Sequence, residues 1–358
     1  MMEEKSDRYQ VFDHPPSLYE AMLEDIDQAK EYIYLETYKF GNDSIGSRFR
    51  NALTKKAREG IKIKILIDSW GAAVPLAYFS EMMRFGAEIR FFKKIVLAFD
   101  FFTKNHRRNH RKLLIIDDHI TYIGSANIAG HSIKWRELQL RLKSKIAVHF
   151  KRSFLASFKI YNKYIFNKFT YRKAVFYCDF EIVQDIPSIY RQRIKKRYED
   201  LIKKAQKEII IETPYFVPGF KLRKELIEAA IRGVDVKILM PEHSDVRIVD
   251  LIRNKYLGHM YRNNVKILFY TPANLHAKAV LIDNKTFGVG SANFDYRSFR
   301  YLHEIVLFGS NAETIRLLRT HLGETLNYCI PFNYDAWNNR PVIEKILSQL
   351  LIPFRHLF

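Results

Sequence analysis

One pattern of residue types occurs twice in this chain at fixed spacing. His110-x-Lys112-x4-Asp117-x6-Gly124-Ser125-x-Asn127 returns as His276-x-Lys278-x4-Asp283-x6-Gly290-Ser291-x-Asn293. A lone histidine on an apolar strand is usually a packed core residue, but six residue types repeated in register are not a chance match. Brought together, two imidazoles, two ammonium groups, two amides and two small hydroxyls suit a phosphodiester. Lys112, Lys278, Asn127 and Asn293 would donate hydrogen bonds to non-bridging oxygens whose charge grows in the transition state. One histidine, neutral, would attack phosphorus, and the other, protonated, would give its proton to the departing alkoxide. The unperturbed imidazole pKa of about 6.5 permits both states near neutral pH. No carboxylate cluster or His-rich set accompanies the pattern, so the chemistry is expected to need no metal and no cofactor.

The elements that must position these residues repeat as well. Ala29–Phe40 resembles Ala205–Phe216, with Glu36-Thr37 matched by Glu212-Thr213, and Arg58–Asp68 is echoed by Arg232–Pro241, in the same order in both halves. Each half reads as helix, apolar strand, helix, strand, then a hairpin carrying the His and Lys. Ser17 and Glu20 form a capping box after Pro15-Pro16, followed by Leu18, Met22, Leu23 and Ile26 at helical spacing. The β-branched runs Tyr32–Leu35, Ile61–Ile67, Ile209–Ile211 and Val234–Met240 predict α/β architecture, two similar units each built on a mainly parallel sheet flanked by helices. The units are expected over 1–145 and 190–358. A basic, aromatic segment, 146–189, connects them, helical over Val148–Tyr164. Strand parity sets His110 and Lys112 on one face, and His276 and Lys278 likewise. Asp117 and Asp283 have the opposite parity, at strand ends, where a carboxylate fixes the turn. Gly-Ser then allows a tight path that returns Asn127 and Asn293 beside the His/Lys face.

Composition narrows the partner. Of 358 residues, 59 are Lys or Arg and 39 Asp or Glu, a formal charge of +20 that points to an anionic partner. No apolar run reaches the ~18 residues of a membrane span, and no signal-peptide core is present near the N-terminus. Cys178 and Cys329 have neither disulfide-framework nor zinc spacing, so a cytoplasmic setting is expected.

The two His-x-Lys-x4-Asp motifs with trailing Gly-Ser-x-Asn resemble those of the phospholipase D superfamily over nearly the whole chain. Asn109-His-Arg-Lys112, Trp135-Arg136-Glu137, Thr213–Pro218 and Gly290–Ser298 are similar to its bacterial cardiolipin synthase branch, as is the ending Trp337–Pro341 with Leu347–Pro353. The resemblance implies one site at the interface of the two units. The implied catalytic set is His110, Lys112, Asp117, His276, Lys278 and Asp283, with His110 the nucleophile and His276 the acid/base, or the reverse. Glu137 and Glu304 match the carboxylates that orient the histidines, and Ser125, Ser291, Asn127 and Asn293 join the phosphate-binding or orienting set. Two departures stand out: Glu137 replaces the branch's usual Asp, and Gly124-Ser125 a common Gly-Gly.

The implied activity is phosphatidyl transfer, two phosphatidylglycerol molecules giving cardiolipin and glycerol. The alternatives are hydrolysis of phospholipid or a metal-independent endonuclease, and only the last would make nucleic acid a partner. The expected partners are therefore an anionic phospholipid such as phosphatidylglycerol and a membrane surface, with the protein peripheral to the inner face of the cell membrane. Many members carry a pair of N-terminal membrane helices with no counterpart here, so attachment is expected from Phe91–Arg108, where aromatics mix with cations. Phe150–Tyr171 and Leu347–Phe358 are expected to pack on the protein.

Overall fold

The computed structural model describes residues 8–93, 106–162, 174–188 and 190–355. The first half contributes β1 (Arg8–Phe12), β2 (Tyr32–Thr37), β3 (Lys62–Asp68), β4 (Glu88–Phe92), β5 (Arg108–Asn109), β6 (Leu113–Ile116), β7 (Ile120–Gly124) and β8 (Gln139–Lys143). The second contributes β9 (Val175–Tyr177), β10 (Phe180–Asp185), β11 (Glu208–Glu212), β12 (Phe216–Val217), β13 (Asp235–Pro241), β14 (Lys266–Tyr270), β15 (Ala279–Ile282), β16 (Thr286–Gly290), β17 (Phe294–Asp295), β18 (Leu302–Gly309) and β19 (Cys329–Pro331). One sheet runs β1-β8-β7-β6-β2-β3-β4 and the other β19-β14-β13-β11-β15-β16-β18-β10-β9, so the repeat seen in sequence is a repeat of topology.

The sheets are mixed rather than mainly parallel. Along the main path of each sheet, β2-β3-β4 and β11-β13-β14 are parallel and the other neighbours antiparallel. The hairpin after them folds back, so β6 and β15 run antiparallel to β2 and β11. Alternation within the strands gives each sheet two apolar faces. Tyr34, Leu113, Ile115 and Leu140 join Ile210, Ala279, Leu281 and Leu307 in one core shared by both halves. Their neighbours Ile33, Leu35 and Leu114 face a separate core under the helices Pro15–Asp27 and Ser44–Arg58. The two sheets thus lie face to face across a common interior, which is what brings two distant motifs into one place.

Three expectations need correction. The first helix has His14 at its N-cap without a side-chain cap bond, because Pro15 takes the first helical position, where its missing N–H costs nothing. Ser17 donates back to the His14 carbonyl instead. The segment 146–189 is not a separate connection: the helix Ala147–Lys159 buries Phe150, Phe154 and Phe158 in the shared core, and β9 and β10 complete the second sheet. Its Tyr164, and residues 163–171 of Phe150–Tyr171, lie outside the described residues. Of the expected attachment segment Phe91–Arg108, residues 94–105 also lie outside them, while Phe92 and Arg108 are buried. Arg108 pairs with buried Asp68, Nε–Oδ1 2.9 Å, and is not offered to a lipid head group.

Candidate active site

The halves exchange backbone where the motifs meet. β5 leaves its own sheet and pairs in parallel with β18, Asn109 opposite His303, so that the His110 N–H donates to the His303 carbonyl at 3.0 Å. In the mirror arrangement Arg136 bridges to Leu275, and the His276 N–H donates to the Arg136 carbonyl at 2.8 Å. Each histidine is thereby set beside the glutamate that follows the other motif. His110 Nδ1 lies 3.0 Å from Glu304 Oε1, and His276 Nδ1 lies 2.9 Å from Glu137 Oε1. The pairing is crossed. Each glutamate also accepts a hydroxyl, Glu137 from Ser125 and Glu304 from Ser291. Gly124 and Gly290 precede those serines because a Cβ at either would collide with the carbonyl of Leu138 or Ile305. With each Nδ1 held by a carboxylate, Nε2 is the nitrogen that each ring has left to offer a ligand. Tyr38 meets His110 edge-on at 5.2 Å, and Trp135 lies 5.3 Å from His276, centroid to centroid.

The lysines stand just ahead of the hairpin strands rather than within them. Lys112 Nζ donates to the His110 carbonyl at 2.7 Å and Lys278 Nζ to the His276 carbonyl at 2.6 Å, which folds both ammonium groups back towards the imidazoles. Asn127 accepts the Lys39 N–H through Oδ1 at 3.2 Å. Asn293 is held through its own N–H on Ser298 Oγ, while its buried side-chain oxygen makes no hydrogen bond, leaving capacity for a ligand.

Burying so many cations together shifts their charge states. Burial, then the neighbouring Lys112 and Lys278 and the charge on His276, hold His110 well below the ordinary imidazole value. Burial and Lys278 bring Lys112 down to about 7, and burial brings Lys278 down to about 8 despite Glu137 and Glu304. Burial raises Glu304 to about 7. Glu137 is equally buried, yet the charges of His276 and Lys278 hold it below the usual carboxylate range. The arrangement is an electropositive, desolvated cavity that an anionic phosphate would stabilise.

Asp117 and Asp283 are elsewhere, and the catalytic role carried over for them is corrected by where their oxygens go. Asp117 accepts the backbone N–H groups of Lys30, Glu31 and Tyr32 at 2.6–2.8 Å, and Asp283 those of Gln206, Lys207 and Glu208, all at the start of β2 or β11. With positive φ at Asp117-Asp118 and Asp283-Asn284, each pair also makes the tight hairpin turn. They fix the hairpin that carries the site.

A family profile described as "Cardiolipin synthase, PLD-like domain" matches residues 22–158 and 198–326. The chain is 30% identical over 356 residues to the cardiolipin synthase of Clostridium perfringens strain SM101, across 94% of this chain and 74% of that protein. It is 33% identical over 353 residues to that of Listeria welshimeri, across 94% and 73%. The chain belongs to the phospholipase D superfamily, in its cardiolipin synthase branch. In fold it is similar to the phosphatidylserine synthase of Haemophilus influenzae, with a TM-score of 0.77, 14% identity and 98% and 95% of the two chains covered. It also resembles the polyphosphate kinase of Porphyromonas gingivalis, with a TM-score of 0.64, 12% identity and 98% and 53% covered.

For a member of this branch, the sequence pattern missed the layer behind the histidines. Glu36 and Glu212, already paired by the repeat, prove to be buried at equivalent strand ends. Glu36 accepts from Asn109 Nδ2 at 2.8 Å, while Glu212 meets His321 Nε2 at 2.8 Å and Thr325 Oγ1 at 3.0 Å. His321, between Glu212 and Asp13, is lifted to about 9 despite burial, and Arg136 reaches the same group with Nη1 2.8 Å from Asp13 Oδ2. These pairs lock the crossed backbone segments. The signal was present in the repeated Glu-Thr, but nothing in it told of a partner about 110 residues away. Among the described residues, no group of three His, Cys, Asp or Glu is arranged for a metal ion.

Proposed function

We propose that this chain transfers a phosphatidyl group between phospholipids through a phosphohistidine intermediate, two phosphatidylglycerol molecules giving cardiolipin and glycerol. His110 Nε2 attacks phosphorus, the bond to the glycerol oxygen breaks, and His276 gives that oxygen its proton. His276 then takes a proton from the primary hydroxyl of a second phosphatidylglycerol, whose oxygen attacks the phosphohistidine and releases His110. Lys112, Lys278, Asn127 and Asn293 stabilise the charge on the non-bridging oxygens. Glu304 and Glu137 orient the two rings, and Ser125 and Ser291 orient the glutamates.

The observation that carries this reading is the crossed His–Glu pairing, which puts two oriented imidazoles at one buried, cationic interface. The division of labour is supported by a difference of degree: burial and neighbouring cations hold His110 well below the ordinary imidazole value, as suits a nucleophile, whereas burial lowers His276 too but the ionised Glu137 offsets part of that lowering. The names of the relatives support the substrate. Among the described residues no helix is long and apolar enough to cross a membrane, and we place the protein at the inner face of the cell membrane as a peripheral enzyme.

Incubation with phosphatidylglycerol vesicles, and separately with single-stranded DNA, tests the reading. Cardiolipin with equimolar glycerol is expected. Phosphatidic acid alone would make the protein a hydrolase, because water would have replaced the acceptor alcohol, and cut DNA without lipid turnover would make it a nuclease.

A further inference from the structure

The helix Val342–Leu350 is built inside out. A surface helix ordinarily turns its apolar stripe inward. At about 100° per residue, Val342, Ile343, Ile346 and Leu350 form one stripe, yet they are 69%, 61%, 48% and 62% exposed. Ser348, on the other side, is buried, and Glu344 and Lys345 are half-buried. The helix is nonetheless held firmly. Lys255 binds Gln349, and the following Leu351 and Ile352 pack against Val217, Val249, Ile252 and Tyr256. The orientation is therefore fixed by the protein, and the stripe continues into Phe354, 51% exposed.

Cations adjoin this stripe. A cavity of about 280 Å³ is lined by Tyr296, Arg300, Tyr301, Ile352, Pro353 and Arg355. The guanidinium carbons of Arg300 and Arg355 lie 4.1 and 5.0 Å from the Tyr296 ring centre. Tyr296 follows β17, whose Asp295 pairs with Val217, and stands three residues from Asn293 of the candidate site. Gly219 lies against Tyr296, and the next residue, Phe220, is also exposed.

We infer that this face docks on an anionic lipid bilayer. The stripe Val342, Ile343, Ile346, Leu350 and Phe354 enters the boundary between head groups and acyl chains, and Arg300 and Arg355 hold a lipid phosphate in the cavity beside it. Charge selects the bilayer over a second copy of this chain. The protein carries +20, and two copies meeting here would set Arg300 and Arg355 of one against those of the other, whereas lipid phosphates supply the opposite charge. The inference deepens the phosphatidyl-transfer reading, since the acyl chains of the substrate must stay in the bilayer while its phosphate reaches buried histidines. Docking itself is read without turnover.

The test is sedimentation of the full chain with phosphatidylcholine vesicles, with and without phosphatidylglycerol. Combined Ile343→Asp, Ile346→Asp and Leu350→Asp should leave the melting temperature intact, because the side chains are exposed, and weaken binding to phosphatidylglycerol vesicles by about tenfold or more. Arg355→Gln alone should weaken it about fivefold, with little change on pure phosphatidylcholine. Undiminished sedimentation of the triple variant overturns the inference, as does a wild-type dimer that the triple variant converts to monomer. If wild type binds vesicles but makes no cardiolipin, the transfer reading falls and docking stands.

Discussion

The two His–Glu pairs have the same atoms and nearly the same lengths, but unequal charge balance. At His276 burial lowers the ring, and the buried, ionised Glu137 offsets part of that lowering. At His110 burial lifts Glu304 to about 7, and burial together with the neighbouring cations pushes the ring towards neutrality. The repeats differ between Asn and Glu: Ala129 and His131 in the first correspond to Asp295 and Arg297 in the second. Asp295 is a further buried carboxylate, raised to about 6 by burial and by the charge of Glu304. Two carboxylates so close in a desolvated place cannot both ionise cheaply. Identical first contacts thus stand in different surroundings in the two halves, and the proposed division into nucleophile and acid rests on that difference.

Breaking the comparison at its centre has the largest effect. His110→Ala and His276→Ala should each lower turnover by about 10⁴-fold or more, and a near-normal rate in either would end the shared-site reading. With an activated leaving group such as a p-nitrophenyl phosphodiester, the two should diverge. His276→Ala then still gives a burst of leaving group and a phosphorylated protein, because the acid is no longer needed, whereas His110→Ala gives neither. The opposite result would exchange the two roles. Lys112→Met and Lys278→Met each remove a donor to the developing charge and should cost about 10²–10³-fold in kcat/KM.

The glutamates sharpen the comparison further. Glu137→Gln removes a charge and should lower kcat by about 100-fold, while Glu304→Gln replaces a carboxyl already poised to be neutral and should cost about tenfold. Steady-state rates with correct folding by circular dichroism would decide. Equal losses would mean that both carboxylates work ionised. The pH profile follows the same logic. Neutral His110 is the active form, and its pKa is depressed, so the acid limb of kcat/KM should lie below about 6.5. The alkaline limb should begin as His276, the acid of the proposed mechanism and itself lowered by burial, loses its proton, and deepen as Lys112, at about 7, and Lys278, at about 8, lose theirs. Lys112→Arg should move that limb upward, because a guanidinium does not deprotonate there.

Much of this was legible in the chain because the repeat is exact where the chemistry is. His, Lys, Ser and Asn recur at fixed offsets, and Glu137 and Glu304 follow them, one position out of register. Which glutamate serves which histidine was not legible. Partners 139 and 194 residues apart meet only through the exchange of β5 and Arg136, a property of the interface. The strand runs Tyr32–Leu35 with Ile61–Ile67 and Ile209–Ile211 with Val234–Met240 are the parallel ones, but they do not record the direction of the strands added around them, so sheets that are mixed read as mainly parallel. The last helix showed its amphipathic pattern, and the pattern alone does not say which side faces inward; packing on the helix Arg247–Arg262 turned it over.

The smallest effect tests whether the motif aspartates are structural in both halves. Asp117→Asn and Asp283→Asn keep a residue that tolerates positive φ and one acceptor oxygen, but lose the charge that gathers three N–H groups at a strand start. Each should cost about 1–3 kcal/mol of stability, seen as a lower melting temperature. The surviving folded protein should keep its rate within about threefold, since the carboxylates act at the far end of β6 and β15 from the lysines. Ala at either position should cost more, having no acceptor and a strained backbone. A loss of about 100-fold in rate at unchanged melting temperature would return that aspartate to the reacting set, and if only one behaved so, the two halves would differ at their turns as well as behind their histidines.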